Sequence, residues 1–269
     1  MKHVNNAALS AGLPAVRRHA RLTGGHDERV AATLTRLHQA AATHAPRIVQ
    51  ASSLGAEDMV ITDMIARHGL PIAVATLDTG ALHEETLALL PRIESHYGLA
   101  VERWAPPAEA VVAFVRRHGE RSMFESVEQR KACCALRKLE PLARMLAGRD
   151  AWVTGLRREQ SAARAEVPFE QVDQADDRGR IKLNPLADWS EADVWHYIGR
   201  HGVPYNALHD RFFPSIGCAP CTRAVALGED PRAGRWWWEQ EGAKECGLHV
   251  AQPLRAAADR HAEPEKVHA

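Results

Sequence analysis

Apolar side chains recur at helical spacing between Asp27 and Ala45, where Val30, Leu34 and Leu37 fall on one stripe and predict an amphipathic helix. A short apolar run from Arg47 to Ser53 then predicts a strand, and the pattern repeats: helix Ala56 to Arg67, strand Pro71 to Asp78, helix Leu82 to Tyr97. It continues with a strand near Leu99 to Trp104, a helix from Ala108 to His118, and a long helix that carries Cys133 and Cys134. A strand at Ala151 to Gly155 closes this predicted core. Beyond Gln160, Pro, Asp and Gly become frequent up to Asn184-Pro185-Leu186. A helix follows at Ser190 to Arg200, signalled by Ser190 as N-cap and by Asp193 in its first turn.

Strands that alternate with helices argue for an α/β fold: a doubly wound, mostly parallel sheet with helices on both faces and ligands outside the carboxyl ends of its strands. A chain of 269 residues, 45% hydrophobic, can bury one large core with an appendage. Thirty-four basic side chains balance thirty-four acidic ones, which gives no global argument for nucleic acid or a membrane. The longest apolar run, near Leu70 to Leu77, is far short of the ~20 residues that a bilayer span needs. Before Asp27 the chain carries Lys2, Arg17, Arg18 and Arg21 and no acidic residue; residues 1–26 read as a flexible extension rather than as a transit peptide. The odd cysteine count and the lack of a secretory apolar stretch point to reduced thiols in the cytoplasm.

Two polar turns follow adjacent predicted strands. Ser52-Ser53-Leu54-Gly55-Ala56-Glu57-Asp58 could turn backbone N–H groups and a helix N-terminus toward a phosphate or sulfate, although it has neither a Walker A ending nor a Gly-x-Gly-x-x-Gly. Leu77-Asp78-Thr79-Gly80 lies at the same sheet edge, and Asp78 reads equally well as a helix cap. Basic residues stand in three groups: Arg137 and Lys138, then Arg157, Arg158 and Arg164, then Arg223, Arg232 and Arg235. Guanidinium groups match sulfate and phosphate oxygens bidentately, and Lys138, four residues past Cys134, shares its helical face.

The five cysteines sort into an adjacent pair, Cys133 and Cys134, a Cys-x-x-Cys pair, Cys218 and Cys221, and a lone Cys246. Neighbouring cysteines fit one tetrahedral zinc poorly, whereas the irons of a 4Fe-4S cluster each take one thiolate, and a two-plus-two set supplies four. Zinc and unligated core thiols stay open on spacing alone.

Several motifs together carry a family resemblance. They are Ser52-Ser53-Leu54-Gly55, Leu77-Asp78-Thr79-Gly80, Cys133-Cys134-Ala135-Leu136-Arg137-Lys138, Gly155-Leu156-Arg157-Arg158-Glu159-Gln160-Ser161, Gly217-Cys218-Ala219-Pro220-Cys221-Thr222, Gly234-Arg235-Trp236-Trp237-Trp238-Glu239 and Glu245-Cys246-Gly247-Leu248-His249. From about Ile48 to His249 the chain resembles the assimilatory sulfonucleotide reductases, and within them the thioredoxin-dependent branch that reduces adenosine 5'-phosphosulfate. The four paired cysteines separate that branch from the cluster-free reductases of 3'-phosphoadenosine 5'-phosphosulfate.

The resemblance implies an adenine nucleotide alpha-hydrolase-like sheet over residues 27–240, with cluster-bearing helices and a mobile segment, 241–269, that carries the catalytic thiol. It implies a 4Fe-4S cluster on Cys133, Cys134, Cys218 and Cys221. Cys246 would attack the sulfate sulfur, expel AMP and keep an S-sulfocysteine, from which thioredoxin or a glutaredoxin-like reductant releases sulfite. Substrate contacts are expected from Ser52, Ser53, Gly55, Leu77, Asp78, Lys138, Arg157, Arg158, Arg164, Arg232, Arg235 and His249. The cluster would act through charge, beside Lys138, rather than by changing oxidation state. Trp236, Trp237 and Trp238 could stack on adenine, but at least two of them read as packing. No nucleic-acid or membrane partner is expected, and a homo-oligomer is admitted. Reduction of 3'-phosphoadenosine 5'-phosphosulfate is the alternative activity. A sulfur-inserting RNA-modifying enzyme and an electron carrier are the readings from other classes.

Overall fold

The computed structural model describes residues 13–174, 176 and 178–239. Within them, α1 (Ala15–His19) and α2 (His26–His44) precede the alternating core. The core runs β1 (Ile48–Ser52), α3 (Ala56–Arg67), β2 (Ala73–Leu77), α4 (Glu84–Tyr97), β3 (Val101–Trp104) and α5 (Ala108–His118). The cysteine-bearing region is α6 (Val127–Cys134), a π-helical stretch over Ala135–Leu139, and α7 (Glu140–Leu146). Then come β4 (Ala151–Val153), β5 (Glu170–Val172), β6 (Ile181–Leu183) and α8 (Glu191–His201).

The six strands lie in the order β3-β2-β1-β4-β6-β5, all parallel except β5, which is antiparallel to β6. From β1 the chain winds outward to β2 and β3, then returns to place β4 on the other side of β1. The strand order therefore reverses between β1 and β4, and a crevice opens there at the carboxyl ends.

Period-two alternation sorts the strands between two cores. Ile48, Val74, Val101, Ala151, Val153 and Leu183 join the larger one, which buries Leu37 of α2, Met59 and Ile61 of α3, Leu90 of α4 and Ile198 of α8. Val49, Ala75 and Trp152 face the other way and meet Met145 and Leu146 of α7. A third cluster gathers Cys133, Cys218 and Cys221 around Met123 and the fully buried Trp236.

Ala151–Val153 does not close the sheet, because the Pro/Asp/Gly-rich stretch holds the β5–β6 hairpin, and β6 pairs in parallel with β4. These strands are three residues each, too short for alternation to register. The expected flexible extension over residues 1–26 is, where described, packed chain. Ala15 is 1% exposed, its N–H donates to Asp210 Oδ1, and His26 is buried against Asp193 at 3.0 Å. Ser190 caps α8 reciprocally with Asp193, as its position in the sequence anticipates.

Candidate functional site

The crevice at the strand reversal is a cavity of about 660 Å³. The turn after β1 contributes Ser52, Ser53 and Gly55 to its lining, the end of β2 contributes Leu77, and the π-helical stretch contributes Lys138. The segment after β4 brings Arg157 and Arg164, and the segment after the Cys-x-x-Cys brings Arg232 and Arg235. Asp78 and Arg158 are not among the lining residues. Asp78 accepts the Gly80 N–H at 3.1 Å, and Arg158 Nε donates to Val167 O at 2.9 Å with its guanidinium over the Phe169 ring. Cys246 and His249 lie outside the described residues.

Amide groups of the turn after β1 are already engaged. Asp58 Oδ2 accepts both the Ser53 N–H, at 2.7 Å, and the Ser53 hydroxyl, at 2.6 Å; the Leu54 N–H goes to Ser52 Oγ and the Gly55 N–H to Ser53 Oγ. Leu54 takes a left-handed φ of 62° to close the turn. Asp58 thus occupies the seat that the loop pattern suggested for an anion. It also binds the Gly155 N–H through Oδ1 at 2.9 Å, and burial pushes its carboxyl up to about 6 despite those donors. A Cβ on Gly155 would lie 2.7 Å from Asp58 Oδ1 and 2.8 Å from Glu57 Cβ, so this approach requires glycine.

Arg157 is likewise committed to the protein. It meets Glu57 Oε1 at 3.0 Å, Glu159 Oε2 at 2.9 Å and Trp189 O at 3.2 Å. Burial pushes Glu57 upward, but the Arg157 charge and the Gln160 amide hold its carboxyl below the usual range. Arg235 differs. It is 7% exposed, its Nη1 has only long contacts to Ser215 Oγ at 3.4 Å and Ile216 O at 3.3 Å, and its Nε is buried with no hydrogen-bond partner among the described residues. A buried guanidinium with donors to spare on a cavity wall has the chemistry to accept an anion.

Behind this wall lies a second cavity, of about 640 Å³, lined by Cys133, Cys134, Cys218, Cys221, Arg137 and Lys138, among others. Lys138 and Cys218 line both cavities. A π-helical stretch follows Cys134 directly, and Lys138 lies within it, buried at the partition. The Cys-x-x-Cys turn is stitched to the β2–α4 connection by the Ala219 N–H on Ala81 O at 2.7 Å, and Thr79 Oγ1 lies 3.3 Å from Cys218 Sγ. Arg137 Nη1 donates to Thr79 O at 2.7 Å. Burial raises the Cys133 thiol and pushes Cys221 up to about 12, with the neighbouring cysteine sulfurs adding to the rise at Cys221. Among the described residues, no three His, Cys, Asp or Glu side chains converge on a point that would hold a single metal ion.

Residues 47–224 match the phosphoadenosine phosphosulfate reductase domain family. The adenosine 5'-phosphosulfate reductase of Allochromatium vinosum is 59% identical over 202 residues, 75% of this chain and 78% of that protein. The chain belongs to the adenosine 5'-phosphosulfate reductases. The enzyme of that name from Burkholderia cepacia is 54% identical over 211 residues, 78% of this chain and 84% of the relative. Among solved structures, the phosphoadenylyl-sulfate reductase of Candida auris, in a phosphate complex, superposes with a TM-score of 0.60 at 27% identity, covering 76% of this chain and 98% of that one. Yeast FAD synthetase shares the fold, with a TM-score of 0.53 at 13% identity over 81% of this chain and 75% of its own.

Several residues of the reductase site escaped sequence reasoning. Asp58 entered the sequence reading only as the last residue of the candidate anion-binding turn; the pattern gives no sign that its carboxylate folds back on Ser53 and across to Gly155. Gln160, which accepts from Arg164 at 2.6 Å and donates to Glu57 at 3.0 Å, and His209, buried on the wall, carried no local signal. Two of the three tryptophans serve packing, since Trp236 is fully buried and Trp238 stacks on Phe124 at 4.4 Å; Trp237 is 40% exposed and lines the cysteine cavity. No helix among the described residues is long and apolar enough to cross a membrane.

Proposed function

We propose that this reductase cleaves adenosine 5'-phosphosulfate to sulfite and AMP through Cys246, with reduced thioredoxin as electron donor in the cytoplasm. The observation that carries this reading is the shared partition: Lys138 and Cys218 face the nucleotide crevice on one side and the four-cysteine cavity on the other.

The donor set fits a 4Fe-4S cluster. Four buried cysteines in two pairs line one cavity, one thiolate for each iron of such a cluster. Cys133, Cys134, Cys218 and Cys221 would hold it, and when bound it supplies fixed charge beside Lys138. Everything else falls to the chain. Lys138 at the partition and Arg235 on the crevice wall take the sulfate, Arg164 and Arg232 serve the phosphate side, and Leu77 with the Ser52–Gly55 turn shapes the nucleotide seat.

The Cys246 thiolate attacks sulfur; the S–O bond to the phosphate breaks, AMP leaves with the electron pair, and Cys246 keeps the S-sulfo group. A thioredoxin thiolate then attacks Cys246 Sγ and expels sulfite, leaving a mixed disulfide that its second thiol resolves. The reducing electrons come from the dithiol. The test is intact-protein mass spectrometry after mixing with adenosine 5'-phosphosulfate without thioredoxin: an added SO3 on wild type, absent in Cys246→Ser, supports the reading. A Cys246→Ser protein that still turns over sinks it.

A further inference from the structure

We propose that Arg130 and Glu239 are positioning residues for the sulfur-transfer step, a role that rests on Cys246 being the nucleophile. Arg130 projects from α6 three residues before Cys133, and Glu239 lies in the segment after Trp236 that leads toward Cys246. They form a two-pronged ion pair, Nε to Oε1 and Nη2 to Oε2, both at 2.8 Å, with side chains only 1% and 3% exposed. Such a pair holds two backbones in a fixed register, because neither charge is tolerated alone away from water.

The pair is built onto Trp236. The Arg130 guanidinium lies 4.6 Å from the centre of that ring, and the Arg235 guanidinium lies 4.7 Å from it. Trp236 has no exposed surface, takes a left-handed φ of 43°, and donates its N–H to Cys221 O at 3.2 Å. The Glu239 N–H returns to Trp236 O at 2.9 Å, closing a turn. One indole therefore joins the cysteine cavity, where Arg130 is a wall residue, to the nucleotide crevice, where Arg235 is one. A strained backbone persists only where its surroundings hold it, and the Arg130–Glu239 pair supplies that hold. The pair fixes two things together: the placement of Arg235 at the sulfate end of the crevice, and the direction in which the chain departs toward Cys246.

The test uses full-length, iron-replete protein. Arg130→Met with Glu239→Leu replaces a buried pair by apolar groups of similar size, a change that is often neutral for stability, and Glu239→Gln removes the negative charge and keeps one of the two acceptors, since an amide nitrogen cannot accept from the other guanidinium N–H. Expected for the double variant are wild-type iron content, an AMP dissociation constant within about threefold of wild type, and Cys246 sulfonation in a single turnover slowed by more than about tenfold, as a misplacement near 1 Å can cause. Glu239→Gln, which leaves the buried Arg130 without its counter-charge, slows sulfonation at least as much and loses more stability than the double variant. Wild-type sulfonation rates in the double variant overturn the proposal. So does a loss of iron or AMP affinity as large as the loss of rate, which marks a purely structural role. If wild-type protein itself gives no adduct on Cys246, the nucleophile assignment has failed, and the pair is then judged on kcat against AMP affinity alone.

Discussion

Asp58 Oδ1 accepts the Gly155 N–H at 2.9 Å, joining the first turn of α3 to the loop after β4 across the point where the strand order reverses. The same carboxylate holds the Ser53 turn through Oδ2, so one side chain ties together two segments of the crevice wall.

Gly155→Ala tests this tie. Its Cβ would press on Asp58 Oδ1, on Glu57 Cβ, and on the Asp58 backbone N at 3.1 Å, and helix backbone cannot step aside as a flexible side-chain end can. Overpacking of this kind costs about 1–3 kcal/mol, and we expect AMP affinity to fall with stability. Calorimetric titration with AMP beside denaturant unfolding checks both; unchanged affinity would show that the tie does not shape the crevice.

Asp58 and His209 pull stability in opposite directions with pH. Burial lifts Asp58 from 3.8 to about 6, so its contribution is fully present below pH 4 and is lost as pH rises through 6. Burial lowers His209 from 6.5 to about 4; its contribution is present above pH 6.5 and is lost as pH falls toward 4. Each displacement corresponds to about 3 kcal/mol, so the two largely cancel across this window in the wild type. Relative to wild type, His209→Leu should gain stability as pH drops from 6.5 to 4, and Asp58→Asn should lose it. Urea unfolding at several pH values checks the signs, and curves parallel to wild type would refute them.

Much of this fold was legible because the core strands, three to five residues each, are mostly apolar and bounded by polar turns, and the helices between them carry clear stripes. The β5–β6 hairpin was not: β5 is exposed along its whole length and both strands sit in a stretch rich in Pro, Asp and Gly, whereas the equally short β4 is a fully buried apolar run. The α1 helix was hidden for a related reason: five residues with two arginines carry no stripe, and its anchors, Asp210 and α8, lie nearly two hundred residues away. At the site, the basic clusters marked the right segments but not the direction of each side chain. Arg157 and Arg158 are adjacent, and one turns into a carboxylate network on the crevice wall while the other turns out onto Phe169. Spacing gives residue types in order, whereas commitment to an internal partner is settled only when distant segments meet.

Gly217 is where Arg235 meets backbone. A Cβ there would sit 2.6 Å from Arg235 Cζ, so Gly217→Ala must displace the guanidinium on the crevice wall. With Arg235 on the sulfate, as proposed above, sulfonucleotide reduction should fall by more than about tenfold while AMP affinity changes little. Steady-state rates paired with AMP titration check it, and equal losses in both would place Arg235 on the nucleotide phosphate instead.

The contrast between Arg157 and Arg158 gives the last prediction. Arg157→Gln leaves Glu57 without its guanidinium partner on a largely buried wall, which should cost about 3 kcal/mol and widen the crevice. Glu57, now held by Gln160 alone among the contacts described above, should titrate higher, so the loss is greatest at neutral pH, where the carboxylate is ionised. Arg158→Gln removes the Val167 carbonyl contact and the stacking on Phe169, both away from the crevice, so stability should fall by about 1 kcal/mol with AMP affinity unchanged. Denaturant unfolding and AMP titration on the two variants separate the roles. Equal loss of AMP affinity in both would mean that Arg158 also shapes the crevice.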